Sequence, residues 1–124
     1  MKNILVVDDE SDVQILFEQR FRREIKNGDC CFSFALNADD ALHYLKENMD
    51  LVHLVLSDIN MPGKTGLELL QKIKEGFINP SPVVMMITAY GDDENHQRAL
   101  QLGADYFFTK PLDFNQLKEC INKK

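Results

Sequence analysis

Short apolar runs alternate along the chain with longer segments whose apolar residues recur every three to four positions, the pattern of strands separated by helices. Residues 4–7 (ILVV) form the first run. After an acidic turn, Val13, Leu16, Phe17, Phe21 and Ile25 share one face of a predicted helix, with Ser11 placed to cap it and Gly28 to end it. Residues 31–35 read as a second strand, Asn37 as an N-cap, and Ala38, Ala41, Leu42 and Leu45 as the next helical stripe. Residues 54–57 are a third strand. A turn marked by Pro62, Gly63 and Gly66 leads to the stripe Leu69, Leu70, Ile73 and Phe77, a helix stopped by Gly76 and Pro80. Residues 83–88 are the most apolar strand, followed by a polar helix over about 92–102 that Gly103 ends. Residues 106–109 are the last strand, and Asp113 caps a final helix with Phe114, Leu117 and Ile121 inward. Five strands thus alternate strictly with five helices.

Strands that are apolar on both faces belong to a parallel sheet covered by helices on both sides, because each parallel crossover needs a helix to bring the chain back. The expected class is α/β, a doubly wound sandwich. At 124 residues, one domain spanning 1–124 is expected. In such sheets ligands bind beyond the carboxyl ends of the strands, where the strand order reverses.

A net charge of −6 and a pI near 5.0 have the wrong sign for holding nucleic acid through its phosphates, so no direct nucleic-acid partner is expected. No apolar run approaches the ~20 residues that cross a bilayer, and four acids by residue 12 interrupt any signal-peptide pattern. The expected location is the cytoplasm, with no membrane partner. Cys30, Cys31 and Cys120 have no metal-ligand spacing and read as ordinary thiols.

The polar residues at the strand ends form a specific set: Asp8 and Asp9 after the first strand, Asp58 after the third, Thr88 after the fourth and Lys110 after the fifth. Any one acid alone reads as a helix cap or a solvated loop charge. Three carboxylates brought together repel by about 3 to 4 kcal/mol per pair at an effective dielectric near 20, so their convergence requires a cation. With oxygen donors only and no His or Cys nearby, that cation is a hard one, and a site with few protein ligands suits Mg²⁺. Lys110, set among apolar residues before Pro111, needs anionic oxygens opposite it.

These residues lie in the motifs VVDDE, LSDINMPGKTG, MITAYG and GADYFFTKPL, with Asp9, Asp58, Thr88 and Lys110 at successive spacings of 49, 30 and 22 positions. In that order and at that spacing the chain resembles, over essentially its whole length, the receiver domains of two-component response regulators. The resemblance implies a flavodoxin-like (βα)5 fold with strand order 2-1-3-4-5, and a phosphoryl group passed to Asp58 from a sensor histidine kinase or a histidine phosphotransfer domain. It implies that Asp9, Asp58 and the backbone carbonyl of Asn60 ligate Mg²⁺, that Asp8 supports the ion mainly through water, and that Thr88 and Lys110 take phosphoryl oxygens. By the same resemblance Asn60 and Tyr90 tune the lifetime of the acyl phosphate, Thr88 and Phe107 form the switch, and the Lys110–Pro111 bond is cis. Tyr106 and Phe108 flank Phe107, and since alternate strand residues face opposite sides, the switch assignment competes with a plain core role. The first helix would dock the phosphodonor. The helix over 92–102, the last strand and the last helix would meet a downstream effector, and phosphorylation could drive dimerisation.

Such a domain is not an enzyme beyond its own phosphorylation and dephosphorylation. The competing reading is an Asp-nucleophile phosphohydrolase, but Asp58 is followed by Ile59 and Asn60 rather than by the DxD pattern, and no cap domain is present to bind a substrate. Flavodoxin-like FMN binding would need a hydroxyl-rich phosphate loop where this chain has the acidic DDES. His43, His53 and His96, placed on a helix, within a strand and on the polar fourth helix, share no metal spacing. Glu18, Arg22 and Arg23 read as a solvated face, and Met85 and Met86 as packing. The sequence ends at Lys123 and Lys124, where the last helix is expected to stop, as suits a stand-alone regulator or a domain cut from a longer protein.

Overall fold

The computed structural model of the chain describes residues 2–48, 50–61, 65–77, 81–89 and 91–122. Pro62, Gly63, Pro80, Tyr90, Lys123 and Lys124, and the side chain of Phe77, lie outside this description. In chain order the elements are β1 (Lys2–Val7), α1 (Asp12–Arg20), α2 (Arg22–Lys26), β2 (Cys30–Ala35), α3 (Ala38–Glu47), β3 (Leu54–Asp58) and α4 (Gly66–Lys72). There follow a π-helical turn (Ile73–Phe77), β4 (Val83–Thr88), α5 (Asp93–Gln101), β5 (Tyr106–Thr109) and α6 (Phe114–Asn122). The strands pair in parallel in the order β2-β1-β3-β4-β5, as expected of a doubly wound sheet.

The three inner strands, β1, β3 and β4, bury both faces. Leu5, Val7, Val55, Val84 and Met86 pack with Ala38, Ala41, Leu42 and Leu45 of α3, Leu69 and Leu70 of α4 and Ala99 of α5. Ile4, Val6, Leu54, Leu56, Met85 and Ile87 pack with Phe17, Phe21, Leu117 and Ile121 on the opposite side. The period of two along each strand thus divides its apolar residues between two cores. On the second side, ring centroids of Phe17, Phe21, Phe32, Phe34 and Phe114 lie 4.9–6.4 Å apart where they touch.

The first helical segment departs from expectation. Phe21 has φ −107° and ψ 19°, so the segment is two helices rather than one, and six helices, not five, are seen among the described residues. Phe17 and Phe21 are buried, but Leu16 is 39% and Ile25 37% exposed. Two phenylalanines one turn apart fill the contact with the sheet, and the bend at Phe21 rotates α2 so that Ile25, the next residue of that stripe, turns outward. Ser11 makes no side-chain cap bond; its own backbone is already helical. Gly66 is not a turn residue but the first residue of α4, and Gly76, at φ +94°, breaks the helical path within the π turn that follows α4. His53 lies just before β3 rather than within it, and its Nδ1 accepts a hydrogen bond from the Asn3 backbone N–H.

The other caps behave as read. Asn37 Oδ1 accepts from Asp40 N at 2.7 Å, and Asp113 Oδ1 accepts from the N–H groups of Asn115 and Gln116. Asn37→Ala removes an acceptor that serves an otherwise unpaired N–H, so we expect a loss of about 1 kcal/mol in urea unfolding with unchanged m value.

Candidate functional site

Register assembles the site. Val7 pairs with Ser57, which sets Asp8 beside Asp58, and Thr88 pairs with Thr109, which sets Lys110 beside both. Four strands, β1, β3, β4 and β5, therefore end within two residues of one another, next to the point where the order turns from β1 outward to β2 on one side and to β3 on the other.

Asp8 follows β1; its N–H donates to Ala35 O, and its Oδ1 accepts from Glu10 N at 2.9 Å. Asp58 is the last residue of β3 and is 2% exposed. Its Oδ1 accepts from Asn60 N at 3.1 Å and its Oδ2 from Lys110 Nζ at 2.7 Å. One carboxylate oxygen from each of Asp8, Asp9 and Asp58 lies within 4.8 Å of the others. A donor set of carboxylate oxygens alone fits a hard divalent cation. Thr88 ends β4 at 1% exposure, and its Oγ1 is buried with no hydrogen-bond partner among the described residues. Burying an unpaired hydroxyl costs free energy unless another group completes it. Lys110 N donates to Thr88 O at 2.8 Å, and the Lys110–Pro111 bond is cis.

The electrostatics follow the crowding. Burial raises the Asp8 carboxyl above its ordinary value; the Glu10 N–H lowers it, the Asp58 charge raises it further, and the net direction is up. Desolvation pulls the Lys110 ammonium down, yet its hydrogen bond to Asp58 and the charges of Asp58, Asp8 and Glu10 outweigh this and raise it. The site thus holds its lysine charged and disfavours the ionised form of Asp8.

The residues expected at the strand ends, Asp8, Asp9, Asp58, Thr88 and Lys110, are brought together, and Asn60 contributes a backbone N–H to Asp58. Phe107 packs on the core beneath α3, α4 and α5, the side that Met86 of the neighbouring strand also faces, whereas Tyr106 and Phe108 face the other core. Two neighbours escaped the sequence reading. Gly66 donates its N–H to Ile59 O directly behind Asp58, and His96 lies flat on Phe107. The second was legible in part, since His96 stands three residues before Ala99, a fully buried residue of α5.

His43 and Glu47 pair at 3.0 Å on the exposed side of α3, away from the strand ends. Burial pushes the Cys30 thiol up to about 11, with Glu24 and Asp29 adding to it, which makes it inert at neutral pH. No helix among the described residues is long and apolar enough to cross a membrane.

Residues 4–122 match the response regulator receiver domain family. The chain is 35% identical over 123 residues to sporulation initiation phosphotransferase F of Bacillus subtilis, covering 98% of this chain and 92% of that one. Among solved structures, a response regulator receiver domain protein from Clostridium thermocellum superposes with a TM-score of 0.86 at 28% identity, over 99% of this chain and 93% of that one. The response regulator protein TrrA of Thermotoga maritima, in complex with Mg²⁺-BeF, superposes at 0.79 with 30% identity, over 99% and 98%. Against some longer curated relatives the chain spans only 24% of their length. In sequence, in strand order and in the acids gathered at its strand ends, the chain belongs to the response regulator receiver domains, the phosphoacceptor signalling modules of two-component systems.

Proposed function

We propose that residues 1–124 form one receiver domain in which Asp58 accepts a phosphoryl group from the phosphohistidine of a sensor kinase or of a histidine phosphotransfer domain. The observation that carries this reading is the surrounding of Asp58: a buried carboxylate, 2.7 Å from an ammonium, grouped with two further acids, at strand ends that also carry the buried Thr88 hydroxyl, which has no hydrogen-bond partner among the described residues. A carboxylate oxygen of Asp58 attacks phosphorus, the bond from phosphorus to the donor's imidazole nitrogen breaks, and the electron pair leaves with the imidazole. Lys110 and the Thr88 hydroxyl donate to the phosphoryl oxygens as charge gathers on them. Water attack on phosphorus later releases inorganic phosphate and restores the carboxylate. Asn60 and Tyr90 border this step in sequence and would set its rate.

Asp8, Asp9, Asp58 and the carbonyl of Asn60 would hold Mg²⁺, which supplies positive charge against the phosphoryl oxygens and offsets the repulsion among the acids. The domain turns over only its own phosphoryl group. Once Thr88 is drawn to that group, Phe107 occupies the space it vacates, and the surface formed by α5, β5 and α6 changes for a downstream effector or for a second copy of the chain. The phosphodonor docks along α1, and the setting is the cytoplasm. In relatives about four times as long, such a domain is joined to further segments that would carry the output.

Incubation with Mg²⁺ and acetyl phosphate is expected to add a single phosphoryl mass, and chelation of the metal with EDTA to prevent it. No adduct would overturn the reading. Repeated turnover of small phosphate esters would replace it with the phosphohydrolase.

A further inference from the structure

The ring of Phe107 lies nearly parallel to the His96 imidazole, with centroids 3.7 Å apart and planes at 10°. The phenylalanine pairs on the other side of the sheet meet at 4.9 Å or more. Phe107 is opposite Met86, and Thr109 opposite Thr88, so Phe107 is the diagonal neighbour of Thr88 on one face of the sheet. Its ring is half-buried against the core, with its flat side covered from α5 by His96. The helix that carries His96 is itself fixed, by the Asp92 side chain accepting from Asn95 N and by the burial of Ala99.

We propose that His96 is a positioning residue for the switch: by stacking on Phe107 it holds that ring in its resting place and so sets how readily the ring moves toward Thr88. This rests on the assignment of Thr88 and Phe107 as the switch pair. A ring cannot leave a parallel stack on a helix-borne partner without giving up the contact, so the stack weights the resting conformation. A ligand that prefers the switched conformation binds with an affinity reduced by the scarcity of that conformation. Removing the stack therefore tightens binding of a phosphoryl mimic, although His96 never touches it.

The test uses beryllofluoride with Mg²⁺ as the probe and follows amide shifts of Phe107 and of residues 91–102. His96→Ala should bind the probe about two- to tenfold more tightly, the range a stacked aromatic pair supplies, and should show part of the switched spectrum without it. His96→Phe, which keeps a ring, should behave as the wild type. In a Phe107→Leu background, His96→Ala should change nothing. Unchanged or weaker binding by a folded His96→Ala, or an equal gain in the Phe107→Leu background, overturns the positioning role while leaving the phosphoacceptor reading intact. A wild-type chain that binds no beryllofluoride overturns both. If His96→Ala does not fold, His96→Leu, which keeps bulk without a ring, replaces it, with the same outcomes.

Discussion

Asp58→Asn is expected to carry no phosphoryl group under conditions that fully modify the wild type, and Lys110→Ala to be modified about a hundred- to a thousandfold more slowly. The amide keeps the volume of the carboxylate and an oxygen for the Asn60 N–H, so the fold has no reason to change, but it lacks the anionic oxygen that attacks phosphorus. Lys110 is different: its ammonium is 2.7 Å from Asp58 Oδ2, and its loss leaves a nearly inaccessible carboxylate without that cation and the transferring group without one of its donors. Time courses with acetyl phosphate and Mg²⁺, read by intact mass, separate the two variants. Residual modification of Asp58→Asn at another residue would remove Asp58 from its role.

The pH behaviour of the site has a definite sign. Lys110 is raised in the folded chain, so the stability it contributes is complete below the ordinary lysine value and is lost only as pH climbs through the folded value. The Asp8 carboxyl is also raised, so its contribution is present in acid and is lost as pH rises out of the ordinary carboxylate range. At neutral pH the lysine helps the fold, while Asp8 carries its charge at a cost.

Gly66→Ala is expected to cost about 3 kcal/mol or more and to lower Tm by about 10 °C or more, with phosphorylation falling alongside. A Cβ at this position would stand 2.2 Å from Asp58 O, 2.8 Å from Ile59 Cα and 2.9 Å from Asp58 C. All three are backbone atoms, so no flexible side chain can yield; either the end of β3 or the start of α4 must move, and Asp58 moves with it. Gly28→Ala separates this collision from ordinary glycine strain. Gly28 has φ +80° but open space around it, so its replacement costs only about 1 kcal/mol and leaves phosphorylation alone. Equal melting temperatures for the two variants would show that the approach of α4 to β3 does not matter.

Much of this molecule was legible in its residues. β4 and β5 have the bounds read from their apolar runs, because a strand that packs against a core on each face is apolar along its length and ends where polar chemistry begins. The acids, the threonine and the lysine were visible for the same reason, each standing at the end of such a run. Helix faces were less secure. The stripe through Val13, Phe17 and Phe21 was real, but Leu16 and Ile25 did not belong to it, since periodicity cannot report a bend at Phe21 that follows from how two phenylalanines seat against β2 and α6.

Local pattern determined the strands, most of the caps and the chemical identity of the site, because these depend on residues a few positions apart. Tertiary structure alone decided that Asp8, Asp9 and Asp58 fall within 4.8 Å, that Phe107 rather than Tyr106 or Phe108 shares a core with Met86 of β4, that glycine is demanded at position 66 and that His96 covers Phe107. Each of these is a distance between segments far apart in the chain, set by strand register and helix docking, and such distances have no signature in the spacing of residues along any one segment.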